Sequence, residues 1–329
     1  MGTTVCMTKI FLILLSGTLV TLISGILSIE IKFGRAFAYA AYGDVTDPKE
    51  DAKITEKEKT IYPPSTVPTA ETVAAKPLRY MFGLIAHAYH NIGKQIPNPF
   101  SNKTATFLVL DTDLGAAYLT QEKTVLVCGI RGTSTFKDMV LDLNLQQEHI
   151  ANPVKILRNK RTFLKKIRLT STNDDPKSLP GVHQGFYKVA QNDVVKPISE
   201  LLKSNPVKTL YVAGHSMGAS ISLISAYLLA IKFPPIQVNV HMLGPPRTGN
   251  SEFMQNVHEC TNLTVTWYVN TSDAIPTMPP AVCPNYLCPK QPIYYSHPLV
   301  VPKLINVSSK TLEKNHSFFT YISNIKNVF

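Results

Sequence analysis

Cysteine is scarce in this chain: five among 329 residues, and nowhere do cysteines and histidines recur at the spacing that holds a metal ion. No metal and no cofactor is therefore expected. No internal repeat runs along the chain, which excludes a solenoid. Acidic residues are missing from the stretch Lys155–Arg168, where Lys155, Arg158, Lys160, Arg161, Lys165, Lys166 and Arg168 concentrate much of the formal charge of +11. Neither a zinc knuckle nor a basic helix with heptads accompanies that charge, so no nucleic-acid partner is expected. The stretch reads either as a solvated basic face or as an attraction to an anionic membrane surface. Large apolar residues are rare from Tyr42 to Lys76, where alternating acids and lysines lead into Tyr62-Pro63-Pro64. Residues 30–76 read as a linker or pro-segment, largely disordered.

At the N-terminus, Lys9 precedes an apolar run from Ile10 to Ile29, broken only by Ser, Thr and Gly. Residues 1–29 read as a signal peptide or a signal anchor. The expected location is outside the cell or in the secretory lumen, with membrane anchoring as the alternative. Asn-x-Ser/Thr sequons at Asn102, Asn262, Asn270, Asn306 and Asn315 fit that address. Cys6 would leave with a signal peptide. Cys283 and Cys288 could staple a Pro-rich loop, whereas Cys128 lies in an apolar strand and reads as a small buried hydrophobe.

The globular part is expected from Pro77 to the last residue, 77–329, as a monomer. Leu78, Met81, Phe82, Ile85, Ala86 and Tyr89 recur at helical spacing. Strands are predicted at Thr106–Leu110, Gly115–Thr120, Thr124–Ile130, Val207–Ala213, Gln237–Leu243 and Val265–Asn270. Helical patterns follow Gly185 and run through Ala219–Ala230. Strands alternating with helices imply an α/β fold with a mixed, mainly parallel central sheet flanked by helices.

The most informative stretch is Gly214-His215-Ser216-Met217-Gly218. It lies between a predicted strand and a predicted helix, the setting of a nucleophile elbow. A serine hydroxyl attacks only when a base takes its proton and a third group orients the base. In the hydrolase order, Ser–acid–His, Asp273 is the best-placed acid, just past the strand that ends at Asn270. His297 and His316 both lie beyond it. His316, which opens the last apolar helix in a loop over the sheet edge, is favoured. Oxyanion donors are expected from the backbone N–H groups of Met217, next to the serine, and of Thr133, in the loop after the strand ending at Ile130.

Further blocks then resemble the class 3 (fungal-type) lipases of the α/β-hydrolase superfamily. They are Gly129-Ile130-Arg131-Gly132-Thr133-Ser134, Val182-His183-Gln184-Gly185-Phe186, Gly244-Pro245-Pro246-Arg247-Thr248-Gly249-Asn250 and Asn270-Thr271-Ser272-Asp273-Ala274-Ile275-Pro276, in family order around the elbow. The resemblance implies an α/β-hydrolase fold, with Ser216 as nucleophile, Asp273 as orienting acid, His316 as base, and Thr133 and Met217 as oxyanion hole. It implies a lid over Ser134 to about Leu145, with Met139 near the position where family lids often carry tryptophan. His183 and Arg247 are read as structural. The implied reaction is hydrolysis of lipid carboxylic esters at a lipid–water interface through an acyl-enzyme, with triacylglycerol favoured. Phospholipase A1, a feruloyl-type small-ester esterase and an inactive lipase-like binding protein are the alternatives. A glycan at Asn315 would obstruct the site, so that sequon is expected to be unused.

Overall fold

The computed structural model describes residues 68–100, 106–110, 114–133, 146–150, 179–282 and 293–325. The N-terminal apolar run, the lid stretch Ser134–Leu145, the basic stretch Lys155–Arg168 and the Cys283–Cys288 loop lie outside them.

The chain forms helices α1 (Ala70–Ala75) and α2 (Pro77–His90), then strands β1 (Thr106–Leu110), β2 (Gly115–Leu119), β3 (Val125–Ile130), β4 (Gln147–His149) and β5 (Gly181–His183). Helix α3 (Gln184–Val189) continues through a π-helical stretch (Ala190–Val195) into α4 (Lys196–Ser204). There follow β6 (Thr209–His215), α5 (Met217–Lys232), β7 (Gln237–Leu243), α6 (Ser251–Glu259), β8 (Leu263–Asn270) and β9 (Lys303–Ile305). Two short helices, α7 (Leu312–His316) and α8 (Phe318–Ser323), come last.

Among the described residues, the main sheet has seven strands in the order β1-β2-β3-β6-β7-β8-β9. The β1–β2 and β2–β3 pairs are antiparallel, and every pairing from β3 to β9 is parallel. This is the mixed, mainly parallel sheet of an α/β-hydrolase fold. Alternation along each strand divides the core into two layers. In β3, Leu126, Cys128 and Ile130 join the layer beneath α3, α4, α5 and α6, while Val125 and Val127 face the layer built by α2 and α8. With both faces covered, β3 reads as an unbroken apolar run, whereas β7 alternates polar and apolar residues. Helix α5 is buried along almost its whole length and so lacks a polar face.

Two boundaries differ from expectation. Residues 30–76 were expected to be linker, yet Ala70–Ala75 is a helix whose Val73 is fully buried. One large apolar residue in a small, polar segment leaves no periodicity to read; the local signal is Thr69, which caps the helix in a reciprocal pair with Thr72. His316, expected to open the last apolar helix, instead closes the one-turn helix α7. Among the described residues, no helix is long and apolar enough to cross a membrane.

Candidate active site

All parallel strands end on one edge of the sheet, where loops of an open α/β sheet collect ligands. Ser216 follows β6, Asp273 follows β8 after Thr271 and Ser272, and Arg131–Thr133 follows β3. Strand register fixes these ends side by side: Ile130 pairs with Gly214, and Asn270 with Ile305.

Ser216 has φ 59° and ψ −130°, a positive-φ conformation that side-chain-bearing residues rarely adopt. Its N–H donates to Leu243 O at 2.9 Å. Helix α5 starts at the next residue, so its N-terminus lies beside the serine. A side chain at Gly214 would strike the Gly218 carbonyl, and one at Gly218 would meet Ile130 O at 2.6 Å. The two glycines thus let strand, helix and the β3 loop touch backbone to backbone. Gly132 is as tightly set: a Cβ there would sit 2.7 Å from Ser216 Cβ. The Arg131–Thr133 loop therefore runs directly against the serine. Thr133 Oγ1 lies 3.6 Å from Met217 Sδ, which brings the two expected oxyanion residues into contact.

Asp273 and His316 meet as expected. His316 Nδ1 is 2.7 Å from Asp273 Oδ2, and both residues are buried. Asp273 Oδ2 also accepts from the Tyr321 hydroxyl at 2.6 Å, and Oδ1 from the Ile275 N–H at 2.9 Å. The buried carboxylate thus gathers three donors. Burial and the adjacent carboxylate push the Tyr321 hydroxyl far above the ordinary tyrosine range, so it stays a proton donor. The other candidate base, His297, is engaged elsewhere: Nε2 lies 2.6 Å from Pro276 O and the ring stacks on Trp267.

Two residues of this cluster escaped the sequence reading. Tyr321 looks like one more apolar position of a C-terminal helix. Asn270, read as a strand end and a sequon, is fully buried; its Nδ2 donates to Asn315 O at 2.9 Å and its Oδ1 accepts from Val307 N–H. It ties the end of β8 to the turn that carries His316. Asn315 is itself buried, with Oδ1 accepting from Ser309 N–H at 2.7 Å, so a glycan on either amide is incompatible with this packing.

His183 and Arg247 have structural partners. His183 caps α3, stacks on Phe186, and is held by burial at a pKa of about 4. The Arg247 guanidinium donates to the carbonyls of Thr277 and Pro279, clamping the loop beyond Asp273.

Similarity to known proteins is concentrated in the same region. The family model "Lipase (class 3)" matches residues 127–283. The chain is 27% identical over 174 residues to the LIH1 protein of Saccharomyces cerevisiae, covering 50% of each chain. It is 27% identical over 120 residues to secreted mono- and diacylglycerol lipase MDL3 of Malassezia globosa, covering 36% of each. It thus spans half or less of the length of the curated relatives it matches. Lipase II from Rhizopus niveus aligns with a TM-score of 0.47 at 17% identity, over 74% of this chain and 83% of that one. By the match over residues 127–283, just under half of the chain, this part of the α/β-hydrolase fold is similar to the class 3 lipase family.

Proposed function

We propose that this protein is a serine hydrolase that cleaves carboxylic esters of lipids, acylglycerols first, through an acyl-enzyme intermediate. The observation that carries the reading is the buried His316–Asp273 pair at 2.7 Å beside a serine held at positive φ at a helix N-terminus. In this mechanism Ser216 Oγ attacks the ester carbonyl while His316 Nε2 takes the hydroxyl proton. The Asp273 carboxylate holds the imidazole through Nδ1–H and stabilises the imidazolium as it forms. The Thr133 and Met217 N–H groups receive the negative charge that grows on the carbonyl oxygen, each worth about 10²–10³ in rate. Collapse of the tetrahedral adduct breaks the C–O bond, and the departing alkoxide takes the proton from His316. Water, deprotonated by the same histidine, then attacks the acyl-serine and releases the fatty acid and Ser216. No step calls on a metal or cofactor.

Triacylglycerol is the preferred substrate class. The names of the Malassezia and Penicillium relatives support mono- and diacylglycerols as a second reading. The basic stretch Lys155–Arg168 supports anionic phospholipid as a further alternative. Secretion is part of the proposal, on the apolar N-terminal run and the secreted relatives.

The test is to assay the protein and Ser216→Ala on triolein, diolein, phosphatidylcholine, phosphatidylglycerol and a soluble butyrate ester. Rates should drop at least about 10³-fold in the variant on whichever esters are cleaved. Equal rates from both proteins on every ester would sink the hydrolase reading and leave the lipase-like binding protein.

A further inference from the structure

Beneath the serine lies a set of hydrogen bonds that the acyl-transfer scheme does not use. The Gly132 N–H donates to the Tyr89 hydroxyl at 2.8 Å. That hydroxyl lies 2.7 Å from His215 Nδ1, and His215 Nε2 lies 2.8 Å from the carbonyl oxygen of His316. A carbonyl only accepts, so His215 must carry its proton on Nε2. Nδ1 is then an acceptor, the Tyr89 O–H points at it, and the tyrosine oxygen is left to receive Gly132. Each proton has one place to go, and the chain runs in one direction.

Resting on the serine-hydrolase reading, we propose that Tyr89 and His215 are positioning residues. Their one-way chain, from Gly132 N–H through Tyr89 and His215 to the His316 carbonyl, fastens the oxyanion loop to the turn that carries the base. The parts so fastened come from four elements far apart in sequence: the loop after β3, helix α2, the end of β6 and helix α7. The adjoining peptide makes the consequence specific. Arg131 Nη1 donates to Gly132 O at 2.6 Å. That carbonyl and the Thr133 N–H belong to one planar peptide and point in opposite directions. With Gly132 held at its N–H by Tyr89 and at its C=O by Arg131, the Thr133 N–H has a fixed aim.

The chain also requires His215 to stay neutral. Its ring lies 4.8 Å from that of His316, which must become an imidazolium during the reaction. Burial and the neighbouring imidazole push His215 well below the ordinary histidine range, so its ring stays neutral. A proton on His215 Nδ1 would turn the Tyr89 hydroxyl around to face the Gly132 N–H, donor against donor.

The experiment uses Tyr89→Phe, His215→Leu and the double variant, with Ser216→Ala as reference. Hydrolysis of a soluble p-nitrophenyl butyrate is measured per serine titrated by a fluorophosphonate, so unfolded protein does not enter the rate. Tyr89→Phe should lower kcat about 10-fold, less than loss of a direct oxyanion donor, with KM changed less than about twofold. The double variant should fall no further than the weaker single, since either break opens the same chain. The ³¹P resonance of the phosphonyl-serine should move in Tyr89→Phe as the oxyanion donors lose their aim. Wild-type kcat per titrated serine in Tyr89→Phe, whatever its melting temperature, would overturn the proposal. So would strictly multiplicative losses in the double variant. Full activity in Ser216→Ala would instead remove the hydrolase reading on which it rests.

Discussion

Asp273 combines two roles that sequence reasoning treats as alternatives. Its Oδ1 closes a turn onto Ile275 N–H, as an aspartate before Pro276 often does, while Oδ2 holds His316 and Tyr321. The turn settles the carboxylate so that the second oxygen faces the imidazole. Asp273→Asn would keep the turn but give His316 the wrong partner for its Nδ1–H, so kcat should fall about 10⁴-fold with the fold intact. Tyr321→Phe is the gentler probe. It removes one donor from a buried carboxylate and the acceptor of the Asn270 N–H, and should cost about 1.5–3 kcal/mol in urea unfolding. An unchanged unfolding midpoint would show that the 2.6 Å contact contributes nothing.

At the scale of elements, the π-helical stretch Ala190–Val195 explains how one long helix keeps a single buried face. Phe186, Ala190, Val194, Ile198 and Leu202 are all buried and are spaced by four. In a regular α-helix, steps of four drift by about 40° each, roughly 160° from Phe186 to Leu202. One wide turn takes back about 100° of that, the angle of a single residue. Inserting one alanine after the exposed Asn192 would rotate everything beyond it by about 100° and swing Ile198 and Leu202 out of the core layer they share with Phe186. A loss of about 2–5 kcal/mol is expected, as for a large-to-small core substitution, read as a lower melting temperature. A variant as stable as the parent would show that the helix tolerates either register. The sequence carries a continuous helical pattern here but no mark of the wide turn, because four-spacing and 3.6-spacing look alike over two turns. It is plainer about the sheet: both-sided burial makes β3 an apolar run, β7 alternates, and the glycines of the elbow name its position. Tyr321, Asn270 and Tyr89 were not legible, since their roles depend on partners between 37 and 126 positions away. No local pattern encodes such a partner.

For the molecule as a whole, buried histidines set the response to acid. Burial holds His183, His241 and His297 at a pKa of about 4, and His215 well below 6.5. In the unfolded chain these groups titrate near 6.5. The unfolded state therefore binds more protons between those values, so stability is full above pH 6.5 and declines as pH falls toward 4. His183, 2% exposed, should by itself account for a loss on the order of 3 kcal/mol across that window. Urea unfolding followed by the fluorescence of Trp267, the single tryptophan, measures it; a midpoint level from pH 7.5 to 4.5 would contradict the assignment. The long reach of the site has a further consequence, for synthesis. The serine, its glycines and the β3 loop are all made before residue 220, but His316, the base of the proposed mechanism, and Tyr321, which donates to Asp273, arrive only later. A nascent chain still emerging from the ribosome thus carries an elbow with no partner for its proton. On the proposed function, the order in which the residues are translated keeps the hydrolase incomplete until most of the domain has been made.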